Sequence, residues 1–349
     1  MKQYSSLLVV CSVVSAAFLY ALTDNYLMDV FVLTCFYGAL AVAWNLMAGM
    51  TGLMSLGHAL FVGIGAYSVA WGYSVHGWSP LMTWPMGVAL SVGAAYVIGG
   101  LCFRYGLRGY FFAIATLAFS EVAFFVVSAT DGLGRSDGII MPIADNGPAH
   151  LQFMEKWPYG LIIGAILMAV MFLCRLLLNS RTGYYWRALR DNEDAAQALG
   201  VNARAMKMRA FLISAAISGL CGAFYANYVA FVDPRSVLSI DLTIQLLVFS
   251  IIGGMSQLWG PLLGAGILVP FSDFLRGLTA IQGSNVIFYA ALLMILALLL
   301  PQGVAGWLVE RWRRRGARRA EIAQGSDTAQ RSLAPAASAS RSEQAETAP

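Results

Sequence analysis

Apolar residues fill long stretches of this chain, and polar positions are confined to shorter segments between them. Seven of these stretches reach or approach the roughly 20 apolar residues that a helix needs to cross the hydrocarbon core of a membrane. They are residues 6–22, 28–48, 55–74, 80–103, 109–129, 159–178 and 209–231. Each predicts one membrane-spanning helix. We expect the first to be retained, with a cleaved signal peptide as the alternative.

The apolar stretch 241–301 is harder to divide, because glycine and proline interrupt it. It predicts three further crossings, at about 241–254, 261–278 and 285–301. The first of these is short for a full crossing, so tilted or broken helices are expected there. The predicted fold is therefore all-α, a polytopic membrane protein with about ten transmembrane helices. The alternative is eight helices, with 241–278 entering and leaving the membrane as one re-entrant unit.

The distribution of basic residues predicts the orientation of these helices. Lys and Arg concentrate in short cytoplasmic loops, and seven of the 22 lie within 175–209 while six lie within 311–319. Arg104 and Arg108 mark another short loop. Placing these three segments inside puts both termini in the cytoplasm and leaves the acidic loop 130–158 outside.

The composition excludes several classes of protein. The 349 residues are 59% hydrophobic and 11% charged, whereas an average soluble domain carries about 25% charged residues. A soluble enzyme, a disordered protein and a nucleic-acid-binding protein are excluded, and membrane lipid is the expected surrounding. The sequence contains no phosphate loop of the form Gly-x-x-x-x-Gly-Lys-Ser/Thr, so any ATP hydrolysis must come from another chain. It also predicts no catalytic residue, no metal site and no cofactor.

Charge divides the chain into two parts. Residues 1–310 carry 14 basic and 14 acidic side chains, and residues 311–349 carry 8 basic and 4 acidic side chains. We expect 1–310 to form the transmembrane domain. The segment 311–349 has few long apolar side chains, which predicts a basic and then disordered cytoplasmic tail with its arginines near anionic headgroups.

The predicted cytoplasmic loop around Arg187–Val201 is the most informative polar segment. Asn192 is suited to cap a helix, and the acidic residues after it would lie near the positive end of the helix dipole. Gly200 is suited to end that helix. A short helix over about 187–200 is therefore predicted. The basic residues that follow are expected to return to the lipid headgroups: Arg204, Lys207 and Arg209.

Small side chains on this predicted helix would allow another protein to approach closely, and the charges around them would orient that protein. Such a docking helix is the interpretation that the residues favour. The alternative is an amphipathic helix that rests on the bilayer. Its apolar face would consist of Leu189, Ala196 and Val201, which is a weak face for that purpose.

Several stretches of the sequence resemble a known family. Asp194-Ala195-Ala196 followed by Gly200 is similar to the coupling-helix motif of ABC importer permeases. More narrowly, the chain resembles the M-type permease subunits of the branched-chain, or hydrophobic, amino acid ABC importers. The matching stretches are Gly52–Tyr67, Gly109–Phe119, Arg187–Gly200 and Ser250–Ala265, and the resemblance covers roughly residues 28–305.

The resemblance implies one subunit of an ATP-driven importer that moves branched-chain amino acids across the bacterial inner membrane. Such a permease forms a heterodimer with a second permease, docks two cytoplasmic ATPase subunits and receives substrate from a periplasmic binding protein. Importers of urea, short amides or other amino acids are alternatives. A secondary transporter or channel that needs no ATPase is a further alternative, which Glu121 supports and the segment 194–200 opposes.

The resemblance also assigns expected contacts with the ATPase. Charged residues of the helix would form oriented ion pairs, and its small residues would permit close packing. The expected coupling residues are Arg187, Arg190, Asp191, Glu193, Asp194, Ala195, Ala196 and Gly200.

Polar residues inside the apolar stretches are candidates for the translocation path, because burying them in hydrocarbon without partners is costly. Glu121 is the carboxylate that lies deepest inside a predicted span. Either a structural partner on a neighbouring helix or a role in the path would explain it. The glycines of 55–74 and 260–278 leave a similar choice between close packing and helix breaks. The path candidates are Asn45, Ser55, His58, Thr116, Ser120, Glu121 and Gln245.

Overall fold

Helices account for almost all of the structure, a computed structural model that describes residues 2–142, 151–255, 257–278, 303, 304 and 306. The helices are α1 (Lys2–Ala21), α2 (Asn25–Thr51), α3 (His58–His76), α4 (Pro80–Arg104), α5 (Gly109–Ala129), α6 (Trp157–Asn179), α7 (Arg181–Asp191), α8 (Glu193–Ala198), α9 (Ala203–Val229), α10 (Pro234–Val237), α11 (Ile240–Gly253) and α12 (Gly260–Leu278). Two short strands, β1 (Ile139–Ile140) and β2 (Phe231–Val232), pair antiparallel.

The apolar stretches of the sequence coincide with helices. Six segments of the described residues are long and apolar enough to cross a membrane, namely α2, α4, α5, α6, α9 and the combined α10–α11 stretch Pro234–Gly253. The all-α, polytopic fold is therefore confirmed. The count of ten helices stays a prediction, because the expected helix at 285–301 lies outside the described residues. The tail 311–349 lies outside them as well.

Helices α3, α4 and α9 form a bundle that packs through small residues. A Cβ atom on Gly65 of α3 would collide with the carbonyl oxygen of Gly219 on α9, and one on Gly222 would collide with that of Val62. Ser91 of α4 also donates a hydrogen bond to the Phe61 oxygen of α3 at 3.1 Å. Because the side chains at these positions are small or absent, the backbones of the helices come into direct contact. The glycines of α3 thus serve close packing.

Helix α11 crosses the body instead of running along it. The Thr243 hydroxyl, near its start, accepts a hydrogen bond from the Ala59 amide in the first turn of α3. Two turns later, Ser250 donates to the Ala41 oxygen in the middle of α2. With 14 residues, α11 is about 21 Å long, which is shorter than the hydrocarbon core. The prediction of a tilted or broken helix in this stretch agrees with this course.

Helix α12 packs tightly against α11 at two glycines. Cβ atoms on Gly253 and Gly264 would collide with the carbonyl oxygens of Gly260 and Phe249, respectively. In contrast, a Cβ atom on Gly266 would meet nothing within 4 Å. Gly260 and Gly264 have the four-residue spacing that is typical of close helix pairs in membranes.

One end of the bundle is held by an ionic cluster. Asp29, near the start of α2, accepts hydrogen bonds from Lys156, just before α6, and from the Tyr228 hydroxyl at the end of α9. The paired strands β1 and β2 lie at this end, where Ser74 near the end of α3 donates to the Ile140 oxygen. The α7–α8 segment (residues 180–202) lies at the opposite end of α2 and α9.

Candidate functional site

The α7–α8 segment consists of two helices that meet at Asn192. The Asn192 backbone is extended, with φ −158°, so the single helix predicted over 187–200 is divided at this residue. The Asn192 amide donates to the Ala188 oxygen and closes α7. Its side-chain oxygen accepts from the Ala195 amide at 3.0 Å and caps α8. The capping role predicted for Asn192 is therefore confirmed, but it serves a helix of only six residues.

Helix α8 ends on an exposed turn. Gly200 has φ +88°, a left-handed conformation that glycine adopts without strain. Leu199, the residue before it, is 88% exposed, and a Cβ atom on Gly200 would meet nothing within 4 Å. The predicted role of Gly200 in ending the helix is confirmed, and the turn is open to a partner.

The small residues of α8 do not all face outward. Ala195 is exposed, whereas Ala196 is buried in a small cluster with Leu189 and Ala203, and Val201 packs against this cluster. Leu189, Ala196 and Val201, which could have formed an apolar face on the bilayer, therefore pack inside the segment instead. Ala195 and Gly200 remain accessible to another protein.

The acidic residues of α8 are paired within the chain. Glu193 accepts a hydrogen bond from Lys207 of α9 at 2.6 Å and lies 3.5 Å from the Arg108 Nε. Asp194 accepts from Arg108 Nη1 at 2.9 Å. The hydrogen bond to Asp194, with the nearby charge of Glu193, raises the pKa of the Arg108 guanidinium above its usual value. The prediction that Lys207 returns to the lipid headgroups is wrong, because its side chain is buried and paired with Glu193.

Two arginines of α7 bind backbone carbonyls of neighbouring helices. Arg190 donates to the Gly49 oxygen at the end of α2 at 3.1 Å and pairs with Asp191 at 3.2 Å. Arg187 donates to the Leu178 oxygen at the end of α6 at 2.6 Å, and its guanidinium lies over the Tyr184 ring. These bonds attach the α7–α8 segment to the ends of α2 and α6.

Trp186 adds an attachment to α9. It is fully buried, and its indole nitrogen donates to the Met206 oxygen at 2.9 Å. Together with Lys207 and Arg108, it holds the segment against α9 and the loop between α4 and α5. Sequence reasoning missed the roles of these three residues, because their partners are decided by packing between distant parts of the chain.

Among the path candidates, His58 lies in a hydrogen-bonded chain that joins three helices. Its Nε2 lies 2.7 Å from the Ser214 hydroxyl of α9, which donates to the Ala43 oxygen of α2 at 2.6 Å. Because the hydroxyl has one hydrogen, we assign the Nε2 proton to His58 as the donor to Ser214. His58 is fully buried. Within the described ranges, no group of three His, Cys, Asp or Glu residues could hold a metal ion.

Ser55 and Thr116 hold the buried loop that precedes α3. The Thr116 hydroxyl accepts from the Leu56 amide at 3.1 Å, and the Ser55 oxygen accepts from the Trp44 indole at 2.8 Å. Ser120 lies one turn after Thr116 on the same buried face of α5. Its hydroxyl finds no hydrogen-bond partner in the described part of the chain.

Asn45 connects α2 to the turn between α11 and α12. Its side-chain amide donates to the Gln257 oxygen at 3.2 Å. One turn further along α2, a Cβ atom on Gly49 would collide with the Met255 oxygen. Gly49 is also the residue that Arg190 binds, so the α7–α8 segment contacts this turn through the last turns of α2.

Glu121 lies apart from these contacts. It is half-buried on α5, which has the smallest buried share of the six spans. Neither Glu121 nor Gln245 forms a hydrogen bond or ion pair with any residue that the structure describes. Large apolar side chains on α5 are exposed beside Glu121, including Val122 and Phe125. The structural partner that would explain this carboxylate is absent from the described part of the chain.

Comparisons with known proteins give a consistent result. A family model described as "Branched-chain amino acid transport system / permease component" matches residues 26–298. The chain is 28% identical over 300 residues to the high-affinity branched-chain amino acid transport system permease protein LivM of Escherichia coli K12, covering 79% of this chain and 69% of LivM.

More distant relatives share parts or most of the chain. The high-affinity branched-chain amino acid transport system permease protein LivH of Salmonella typhimurium is 23% identical over 291 residues, covering 77% of this chain and 91% of LivH. The ribose import permease protein RbsC of Haemophilus influenzae is 25% identical over 176 residues, covering 49% of this chain and 53% of RbsC. No solved structure matches.

Proposed function

We propose a specific transport role for this chain, which belongs to the family of permease components of branched-chain amino acid transport systems. The chain is a multi-pass membrane permease. In the proposed role it forms the path for leucine, isoleucine or valine in an ATP-driven importer of the bacterial inner membrane. Urea, short amides and other amino acids are the alternative substrates.

The observation that carries this proposal is the exposed, firmly held α7–α8 segment. It presents Ala195, Leu199 and Gly200 to a partner, while its charged residues bind the ends of other helices. An exposed turn of this kind is suited to an ATPase cleft, since small residues allow a close approach. Two ATPase subunits would dock on this end, one on this chain and one on a second permease.

The proposed mechanism uses the segment as a rigid lever. When the ATPase subunits close on ATP, the segment would move with its attachments to α2, α6, α9 and the α4–α5 loop. Through Gly49, the movement would reach the turn between α11 and α12, which Asn45 also binds. The predicted coupling residues have two roles in this scheme. Exposed small residues such as Ala195 and Gly200 would contact the ATPase, and charged residues such as Arg190 and Glu193 attach the segment to other helices.

The orientation follows from the same scheme. The basic end that carries the α7–α8 segment would face the cytoplasm, as would both termini. Residues 1–310 would form the permease domain and 311–349 a cytoplasmic tail. A periplasmic binding protein would deliver substrate at the opposite end, where Asp29, Lys156 and Tyr228 hold three helices together.

Glu121 is the path candidate that we place nearest the second permease. A carboxylate exposed to hydrocarbon costs about 2.5–3.5 kcal/mol, so the exposed face of α5 requires a polar partner or an aqueous path. A second permease subunit would supply either. The remaining candidates in the proposed path are Asn45, Ser55, His58, Thr116, Ser120 and Gln245.

Substitution of Ala195 tests the docking proposal. Ala195→Trp adds bulk on the exposed face of α8, so it should abolish both the ATPase activity stimulated by the binding protein and ATP-driven leucine uptake in proteoliposomes. Membrane insertion should be unchanged, because Ala195 is not part of the buried cluster. Ala17→Trp, on an exposed face of α1, is the matched control. Normal uptake by Ala195→Trp, or uptake by the chain without any ATPase, would contradict the proposal.

A further inference from the structure

An open groove lies between the end of α4 and the start of α9, beside the α7–α8 segment. Its volume is about 500 Å³. The α4 wall is apolar and faces outward, with Tyr96, Val97 and Leu101 each exposed by 44% or more. Met208 of α9 completes the apolar lining. The groove is therefore open on the side that faces the hydrocarbon.

Two arginines stand at the mouth of this groove. Arg104 is the last residue of α4, and Arg204 lies in the first turn of α9. Both are exposed, and neither forms an ion pair with a carboxylate in the part of the chain that the structure describes. Arg108 and Arg190, by contrast, are paired at the same end of the molecule. The groove therefore has an apolar lining and, at one end, two positive charges that no carboxylate of the described residues compensates.

Helix geometry extends the groove along α4. Gly93 and Gly100 lie on the same face as Val97 and Arg104, and a Cβ atom on either glycine would meet nothing within 4 Å. The distance from Gly93 to Arg104 along the helix is about 16 Å, at 1.5 Å per residue. This low strip is long enough for much of an extended acyl chain. At its charged end, the N-terminal dipole of α9 adds to the attraction for an anion.

We propose that this groove binds an anionic phospholipid, with the phosphate between Arg104 and Arg204 and one acyl chain along the Gly93–Gly100 strip. The apolar wall identifies a lipid as the ligand, since a free phosphate would leave it unused. Basic pockets between transmembrane helices are suited to such headgroups. The site shares no residue with the proposed ATPase contacts, so its test does not depend on the proposed function.

Lipid retention measured by native mass spectrometry tests the site. The full chain is purified in a mild detergent with any subunit that co-purifies, and phosphatidylglycerol or phosphatidylcholine is added. We expect preferential retention of phosphatidylglycerol, and a loss of about twenty-fivefold in the Arg104→Gln/Arg204→Gln variant, because each arginine contributes about a fivefold effect. Arg181→Gln/Arg209→Gln removes the same charge from exposed positions outside the groove and should retain the lipid.

A second pair of variants tests the apolar part. Gly100→Leu fills the strip without changing charge and should also reduce retention. Gly164→Leu on α6, another glycine with no neighbour within 4 Å, should not. Equal retention of both lipids, equal loss in the two arginine pairs, no effect of Gly100→Leu, or complete displacement by excess inorganic phosphate would each overturn the proposal.

Discussion

At the scale of single residues, the charges of the α7–α8 segment work in pairs of different strength. Lys207 is 5% exposed, so its pair with Glu193 is shielded from water and from salt. Removing Glu193 would leave the buried Lys207 ammonium without compensation, which is strongly destabilising. Arg108 and Asp194 form a much more exposed pair, which contributes little to stability. The second pair is therefore the one that can be altered without unfolding the segment.

A double-mutant cycle on Arg108 and Asp194 tests whether this pair transmits movement. Arg108→Gln and Asp194→Asn should each lower the leucine uptake per ATP hydrolysed by about two- to fivefold, which corresponds to a coupling of up to about 1 kcal/mol. The double variant should fall no further than Arg108→Gln alone, because that change already removes the bond to Asp194. Uptake and ATPase rates are measured together in proteoliposomes, with Arg181→Gln as a control. Additive losses would show that the two residues act separately.

At the scale of elements, glycine position determines how the helices pack. Gly65, Gly222 and Gly264 each face a backbone carbonyl at a distance that excludes a side chain. Gly266 lies only two residues after Gly264 but faces open space. A period of 3.6 residues places these two glycines on different faces of α12. Gly264 is therefore needed for the packing of α12 against α11, whereas Gly266 is not.

The two glycines of α12 provide a matched pair of substitutions. Gly264→Leu should force α12 away from α11 and lower stability by about 1–3 kcal/mol. Gly266→Leu should be neutral or slightly stabilising, because glycine is a poor helix former. The thermal unfolding midpoint of the detergent-purified protein measures both. A similar midpoint for the two variants would contradict the packing described for α11 and α12.

At the scale of the whole molecule, the bundle is held at both ends, and α5 is the most exposed of the six candidate spans that the structure describes. The Asp29 cluster holds one end, and the α7–α8 segment holds the other. Helix α5 lies at the periphery with Glu121 in its second half. A half-buried carboxylate on such a helix needs water or a polar partner beyond the residues that the structure describes.

Neutralising Glu121 tests this interpretation. Glu121→Gln keeps the size and hydrogen-bonding capacity of the side chain but removes the charge. If Glu121 lines the path, leucine uptake should fall by about tenfold or more, equivalent to about 1.4 kcal/mol in the barrier, while assembly with the partner subunits is retained. Glu155→Gln, in an exposed loop, should transport normally. Loss of assembly instead of transport would assign Glu121 to subunit contact alone.

The sequence by itself determined the class of fold and the positions of the long apolar helices. A run of about 20 apolar residues is a local property, and so are the caps at Asn192 and Gly200, whose partners lie within a few residues. Hydrogen bonds of this range depend on the neighbouring sequence and little else. The family followed from motifs that are also continuous in sequence, and the family comparison confirms it.

Only the tertiary structure decided which residues of the site meet. Arg108 and Asp194 are 86 positions apart, and Arg190 and Gly49 are 141 apart. No local pattern determines such contacts, because they depend on how whole helices pack against one another. For the same reason, the burial of Ala196 and Lys207 could not be predicted from their residue types. The open groove beside Arg104 likewise exists only because α4 and α9 lie side by side.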